Sequence, residues 1–375
     1  MVLMALDHSR SFFHYGAFIS DPTDLTTTTP IIFLTRFITH FCAPVFVFLA
    51  GTSAFLYGSK KTKPILCRFL ISRGLWLVCL ELAIMPVLWY FTLTHEFIYL
   101  QVLWAIGITM IALAACIYLP WKVLLFAGLL IVAGHNLLDG ITAEGKSFTS
   151  ILWYILHQSN FLELSDKLVI LVGYPVLPWV GVMILGYCFG KLYSIGFDAS
   201  RRRKWLLWSG IGSIFLFILL RAVNVYGDSM PWSVQKNTLF TIFSFINVTK
   251  YPPSLDFILI TMGPAFLFLY AFETIKSNIT NFFIVFGRVP FFYYVLHILV
   301  IHLLALLGLV IAGGNWRLMI LTEDAFVNHT IDTYGYPLWV SYVVWIVVVL
   351  LLYPISKRYM IYKATHKDKW WLSYL

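Results

Sequence analysis

The chain has 375 residues, of which 60% are apolar, 18% aromatic and only 11% charged. An exterior of that composition matches lipid, so a soluble globular enzyme is excluded and a polytopic membrane protein is implied. The formal net charge of +9 comes without any soluble basic domain, which leaves no footprint for nucleic acid.

A bilayer core about 30 Å thick takes about 20 mostly apolar residues per helix. The sequence predicts spans near residues 1–16, 31–57, 65–90, 98–118, 121–138, 168–191, 203–224, 254–275, 289–313 and 337–356. The expected fold class is therefore all-α, a polytopic membrane helix bundle of about ten transmembrane helices. The first span is short, since only Met1 to Leu6 precede Asp7. Either Asp7 and His8 sit within the membrane, or the first helix is truncated and the true N-terminus lies upstream of Met1, which is the favoured reading. A signal peptide does not fit, because no basic region or small-residue cleavage site precedes the polar cluster.

Cytoplasmic loops retain Lys and Arg, and translocated loops shed them. The segment 58–68, Lys122, the segment 191–204, Lys276, Arg288 and the tail from Lys357 hold 17 of the 26 Lys and Arg. The other side holds Arg10, Arg36, Lys146, Lys167, Arg221, Lys236, Lys250 and Arg317, while Arg73 lies within a span. Both termini are therefore expected in the cytoplasm. Cys42, Cys67, Cys79, Cys116 and Cys188 sit in or beside apolar spans without a CxxC pair and read as small core residues. No metal-ligand spacing is apparent, and no metal is expected. Without repeats or a dividing linker, a single domain over 1–375 is the simplest organisation. The longest translocated segments, 139–167, 225–253 and 314–336, are expected to cover part of the outer face.

Polar residues inside the spans are placed by a rise of about 1.5 Å per residue. Arg36 and His40 fall four apart on one helical face in the outer half. His297 lies near the midplane and His302 further out. Asp256 stands just inside its span, behind Lys250, Tyr251, Pro252 and Pro253. His8 and His14 close the set at the outer end of the first span. An ionisable group at such depth is costly and marks a functional candidate. The competing readings are interhelical hydrogen bonding for His297 and His302, solvation for His14, and a local ion pair for Asp7 with Arg10. Convergence of Asp7, His8, Arg36 and His40 at one depth favours function, because it is an expensive way to pack two helices.

Four stretches carry a family resemblance. MVLMALDH and FLTRFITHFCAPVFVFLAGTSAFLYG resemble the N-terminal region of the heparan-alpha-glucosaminide N-acetyltransferase-like membrane proteins. NVTKYPPSLDFILITMGPAFLFL and FGRVPFFYYVLHILVIH are similar to later signatures of its bacterial members. The resemblance implies an integral protein of the bacterial inner membrane that moves an acyl group, usually acetyl, from cytoplasmic acyl-CoA to a sugar hydroxyl or amine on the outer side. Departures from the family pattern bear on the site. The lysosomal enzyme has Asn where Asp7 falls, an Asp near the position of His40, and its catalytic His in a longer loop. Here that loop reads AFISDPTDLTTTTP and contains no His, so His8, His14 or His40 would have to fill the role. The related broad acyltransferase group places its essential His at the end of the first helix, where His8 stands.

Acyl transfer from a thioester needs a base or a transient nucleophile, and imidazole, with a pKa of roughly 6.5, suits either. The catalytic candidates are His8, His40, Asp7 and His14. Asp7 points about 100° away from its helical neighbour His8, so it is better placed to orient His14 or His40. Arg10, Arg36, Lys250, Tyr251, His297, His302 and Tyr293 are the candidates for binding the acceptor and the acyl arm. Lys60, Lys61, Arg68 and Arg288 are the candidates for the phosphates of CoA, the expected co-substrate, although the positive-inside rule also accounts for them. Gly51, Ser53 and Gly58 either let helices approach closely or let a pantetheine arm pass. The alternative function is a proton-coupled secondary transporter of a small solute, against which stands the absence of repeat symmetry and paired broken helices. The expected partners are the bilayer, acyl-CoA and a glycan or sugar acceptor, with a homodimer left open.

Overall fold

The computed structural model describes residues 1–17, 20–94, 96–165, 168–321 and 334–373. Lys167, and residues 322–333 of the expected outer segment 314–336, lie outside the described residues. Within them the chain forms fifteen α-helices and three short strands. Eight helical stretches are long and apolar enough to cross a membrane: Pro30–Gly58, Lys63–Tyr90, Trp121–Leu138, Val176–Tyr193, Ala199–Val223, Leu255–Phe272, Pro290–Ile311 and Leu338–Thr365. The other two expected spans are shorter helices, α1 (Val2–Phe13) and α6 (Val102–Cys116).

Local chemistry sets the boundaries. Thr29 caps α2 (Pro30–Thr39) by accepting the Ile32 N–H, and Pro30 occupies its first turn, where a missing N–H costs nothing. The preceding loop folds through two Asp-x-Thr turns, in which Asp21 accepts from Thr23 and Asp24 from Thr26. Hydrogen bonds from the Thr26 amide and hydroxyl hold the Asp24 carboxyl below its ordinary value. The chain then runs through α3 (Cys42–Gly58), α4 (Lys63–Ala83) and α5 (Met85–Tyr90).

Two of the expected spans begin as strands. β1 (Phe97–Leu100) precedes α6, while β2 (Asn160–Ser165) and β3 (Leu168–Val172) pair antiparallel, with Asn160 opposite Val172 and Leu162 opposite Ile170. The sheet order is β1-β3-β2. The β-branched Val169, Ile170 and Val172 favour an extended backbone, and Gly173 and Pro175 delay helix α9 (Val176–Phe189) until after them. Between the strands lie α7 (Trp121–Gly134), ending in a 3₁₀ turn at His135–Leu138, and α8 (Phe148–Leu156). After α9 come α10 (Ala199–Val223), α11 (Thr238–Ile246), α12 (Leu255–Phe272), α13 (Asn278–Arg288), α14 (Pro290–Ile311) and α15 (Leu338–Thr365).

The chain divides into two compact units. The first joins residues 1–42, 83–97 and 274–375, and the second joins 43–82 and 98–273. The core of the first is built by Ala5, Phe12, Phe286, Tyr293, Ile301, Ala305, Val348 and Leu352. That of the second is built by Val47, Leu70, Ala105, Leu113, Trp179, Met183 and Phe257, with a smaller cluster of Ile98, Tyr154, Leu162 and Val172 at the sheet. Large apolar side chains such as Leu130, Trp208, Phe215, Ile346 and Leu350 point outward, as a lipid-facing surface requires.

Within the second unit, α3 and α9 touch backbone to backbone. A Cβ on Gly51 would stand 2.2 Å from the Met183 carbonyl oxygen, and one on Gly186 would stand 2.0 Å from that of Phe48. Thr52 donates across the same crossing to the Gly186 carbonyl at 3.0 Å. Gly51 therefore serves close helix packing.

Candidate functional site

In the first unit α1 runs parallel to α14, with His8 beside His297 and the Phe12 ring 4.6 Å from that of His302. It runs antiparallel to α15, where Trp345 donates to the Val2 carbonyl and Tyr336 pairs with His14. This arrangement brings two histidines together inside an apolar core. His8 Nδ1 lies 2.7 Å from His297 Nε2, and His297 Nδ1 lies 2.8 Å from the Tyr293 carbonyl oxygen.

The tautomers follow from the partners. A carbonyl only accepts, so His297 Nδ1 carries the proton and, in the neutral ring, His297 Nε2 carries the lone pair. His8 Nδ1–H then donates to that lone pair, which makes His8 Nε2 the basic nitrogen. The chain of donors is held in place by ring packing. His297 is fully buried, its ring lies within 10° of parallel to His8 and 6° to Tyr293, and Trp89 meets His8 edge-on at 4.9 Å. The Tyr293 hydroxyl and Trp89 Nε1 are buried without a hydrogen-bond partner among the described residues, so polar valence remains beside the pair for a bound molecule.

One residue before His8, the Asp7 carboxylate accepts from Arg36 Nη1 at 2.6 Å and from Arg10 Nη2 at 3.3 Å. All three side chains are largely withdrawn from solvent, with exposures of 17% for Asp7, 15% for Arg36 and 7% for Arg10. The cluster carries a net charge of +1. The carboxylate of Asp7, expected to orient His14 or His40, accepts from two arginines, and His8 lies against His297.

Depth also differs from expectation. His8 shares the level of His297, which stands about 5 Å from the centre of α14 toward Pro290, and so is nearer the middle of that helix than the outer half foreseen for it. Solvation, the competing reading for His14, does not hold: the side chain is buried, its Nδ1 3.3 Å from the Tyr336 carbonyl oxygen. His302 sets its two ring nitrogens 2.9 Å from the Leu88 carbonyl oxygen and 2.8 Å from that of Met319, and stacks on Phe91. It pins α14 to two neighbouring segments. His40 is buried just beyond the last turn of α2, with its ring near Phe37. Arg288 is exposed at the end of α13.

The remaining candidates belong to the second unit. Lys60, Lys61 and Arg68 are exposed. From the same basic set, Arg202 pairs with Glu273 and lies over the Tyr193 ring, and Arg203 donates to the Tyr270 carbonyl. Lys250 lies over the rings of Tyr251 and Tyr174 at 4.9 and 5.9 Å. Near it, the buried Arg221 spends its guanidinium on the carbonyls of Phe245, Met230, Ser244 and Asn247. Asp228 accepts from Ser254 and Thr249, and the Asp256 N–H donates to the Gly227 carbonyl. Arg221, Asp228 and the Asp256 backbone thus tie the loop after α10 to the start of α12.

A further polar cluster escaped the sequence reading. His135, Asp139 and His157 converge at the ends of α7 and α8, with His157 Nε2 3.0 Å from Asp139 Oδ1. The spacing of His135 and Asp139, four apart at a helix end, was the usable signal. Burial works against the Asp139 carboxylate, but hydrogen bonds from His157 and Asn136 and the charges of both histidines outweigh it and hold the group below its ordinary value.

Residues 1–226 match the family described as heparan-alpha-glucosaminide N-acetyltransferase, catalytic, a stretch longer than half the chain. The chain belongs to this family. No curated protein and no solved structure matches it. Membership places the chain among membrane acetyltransferases. The matched residues include Asp7, His8, Arg10, Arg36 and His40 and end before α14, so His297, the partner that orders His8, is contributed from outside them.

Proposed function

We propose that this member of the acetyltransferase family moves an acetyl group from acetyl-CoA in the cytoplasm to a sugar hydroxyl or amine presented at the outer side of the inner membrane, with His8 as the catalytic base. The observation that carries the reading is the ordered chain from His8 through His297 to the Tyr293 carbonyl. In the reaction His8 Nε2 takes the proton of the acceptor O–H or N–H while the acceptor oxygen or nitrogen attacks the thioester carbonyl. The C–S bond breaks, and the CoA thiolate recovers the proton from His8. His297 Nε2 accepts from the imidazolium that forms and keeps its ring in place, the part a carboxylate plays in the triad arrangement.

Arg10 and Arg36 supply positive charge next to this base, suited to the oxyanion that develops on the thioester carbonyl. The asymmetry of Lys and Arg supports cytoplasmic termini. On that orientation Arg288 precedes Pro290 on the cytoplasmic side, and His297 lies about 10 Å of helix further in, a depth an extended pantetheine arm can reach. Tyr293 and Trp89, with their unused donors, are suited to line the path.

Acetyl transfer from acetyl-CoA by the purified chain in detergent tests the reading. His8→Ala should lower turnover by about 10² or more while the elution profile and melting curve stay those of the wild type. A well-folded His8→Ala chain with wild-type turnover overturns the assignment of the base. A wild-type chain that neither binds nor turns over acyl-CoA overturns the whole reading in favour of a proton-relaying transporter.

A further inference from the structure

We propose that His135, Asp139 and His157 form a binding site for a divalent transition-metal ion of the zinc class, separate from the acyl-transfer chemistry. One nitrogen from each imidazole and one carboxylate oxygen lie within 4.8 Å of one another. Tetrahedral ligands about 2.0 Å from zinc stand about 3.3 Å apart, so small side-chain rotations close the set around an ion.

Burial and lost hydrogen bonds make the case stronger than proximity does. His135 is only 2% exposed, and neither of its ring nitrogens has a hydrogen-bond partner among the described residues. His157 is 3% exposed, with Nδ1 equally without a partner. An imidazole buried with both nitrogens unused forfeits the hydrogen bonds it made to water, and packing alone gives no return for that loss. The two rings meet edge to face, 5.5 Å apart at 74°, so they are not a stacked pair held by their faces.

The surroundings orient the ligands. Asn136 Nδ2 donates to Asp139 Oδ2 at 2.8 Å, and Asn136 Oδ1 accepts the Leu255 N–H at 2.9 Å, which anchors the carboxylate to the start of α12. Such an outer contact is what a liganding carboxylate requires. Two imidazoles disfavour calcium and magnesium, which take oxygen ligands, and suit zinc. The Asp139 side chain is 20% exposed, so water can complete the fourth position. The ion would staple the 3₁₀ turn after α7 to the end of α8 and hold the segment between them.

The test uses the full chain in detergent and needs no enzymatic activity. Protein stripped with chelator and dialysed against zinc should retain one zinc per chain by elemental analysis, and cobalt in its place should give the visible bands of a tetrahedral site. His135→Ala and His157→Ala should each lose the ion, and Asp139→Asn should weaken its binding at least tenfold. Hydrogen exchange over residues 139–157 should rise when the wild-type chain is stripped. Should a histidine variant fail to fold, the wild-type stoichiometry and cobalt spectrum still decide. A wild-type chain that takes up neither zinc nor cobalt overturns the site, as does zinc retained at full stoichiometry by folded His135→Ala and His157→Ala chains.

Discussion

His8 on α1 and His297 on α14 are 289 residues apart in the chain and share a hydrogen bond of 2.7 Å. The bond joins a residue inside the stretch that defines the family to one outside it. Its direction is set one step further away, at the Tyr293 carbonyl one turn back along α14, which accepts from His297 Nδ1–H. A backbone carbonyl thereby fixes which nitrogen of His8 is basic. When His8 is protonated, its bond to His297 becomes charge-assisted and stronger.

The first prediction separates that positioning role from a packing role. His297→Ala should lower kcat for acetyl transfer by about tenfold or more, less than His8→Ala, with KM for acetyl-CoA unchanged. His297→Gln, whose side-chain oxygen can still accept from His8 Nδ1–H, should recover a large part of the loss. Steady-state kinetics of the three variants check this. If Gln were no better than Ala and both acted only through reduced folded yield, His297 would be a packing residue.

Asp7 gives a second prediction, on stability. Its carboxylate balances Arg10 and Arg36, and Arg10 is almost fully withdrawn from solvent. Asp7→Asn leaves two guanidiniums facing one another without the anion between them, and removing one partner of a buried pair costs about 3 kcal/mol or more. The melting temperature should fall clearly, and a double-mutant cycle between Asp7→Asn and Arg36→Met should reveal strong coupling because the two changes share one contact. Additive effects in that cycle would show that the pair is worth no more than a surface ion pair.

The helical membrane class was legible because long apolar runs have few other uses in a chain this poor in charge. The strands were not, since a run such as Leu168–Val172 is apolar on every residue and its periodicity cannot tell a strand from a buried helix. Gly173 and Pro175 were the local signs. Apolar spans make each ionisable group conspicuous, so Asp7, His8, Arg10 and Arg36 stood out in the sequence. What the sequence could not supply is which of those groups meet. His297 was placed with acceptor binding and proves to be the partner of His8, whereas His302, five residues on, closes onto two carbonyls. Arg221 entered only as a loop charge, yet it is buried beneath four backbone carbonyls brought by a later segment. His135 and His157 are joined only when α7 and α8 end at the same place. Such pairings are tertiary facts, carried by no local pattern.

The crossing of α3 and α9 makes the third prediction. Because any Cβ at Gly51 or Gly186 would overlap a backbone carbonyl on the opposite helix, Gly51→Ala and Gly186→Ala should each force the helices apart and lower the melting temperature. Backbone atoms cannot rotate aside as a side-chain terminus can, so the cost falls on the packing of Val47, Met183 and their neighbours. Gly212, on α10, has nothing within 4 Å of its Cβ direction. Gly212→Ala should be neutral or stabilising by up to about 1 kcal/mol from helix propensity. Equal tolerance at all three positions would show that α3 and α9 are not held at backbone contact.

The fourth prediction concerns sidedness, on which the proposed transfer across the bilayer depends. The segments 58–68 and 191–204 together hold nine Lys and Arg, the signature of loops retained in the cytoplasm. Their arginines are partly committed to structure, Arg202 to Glu273 and Arg203 to the Tyr270 carbonyl, so the charge has uses beyond topology. The bias of loop charge nevertheless acts during insertion, before those contacts exist. In a chain whose five native cysteines are replaced, Ser194→Cys should stay unreactive toward a membrane-impermeant maleimide in intact cells and react once the membrane is opened. A cysteine at Asn237, which caps α11 on the opposite side of the bilayer in this topology, should react in intact cells. Reaction in the reverse order would place Arg288 and the start of α14 outside, and acetyl-CoA would then have no cytoplasmic route to His8.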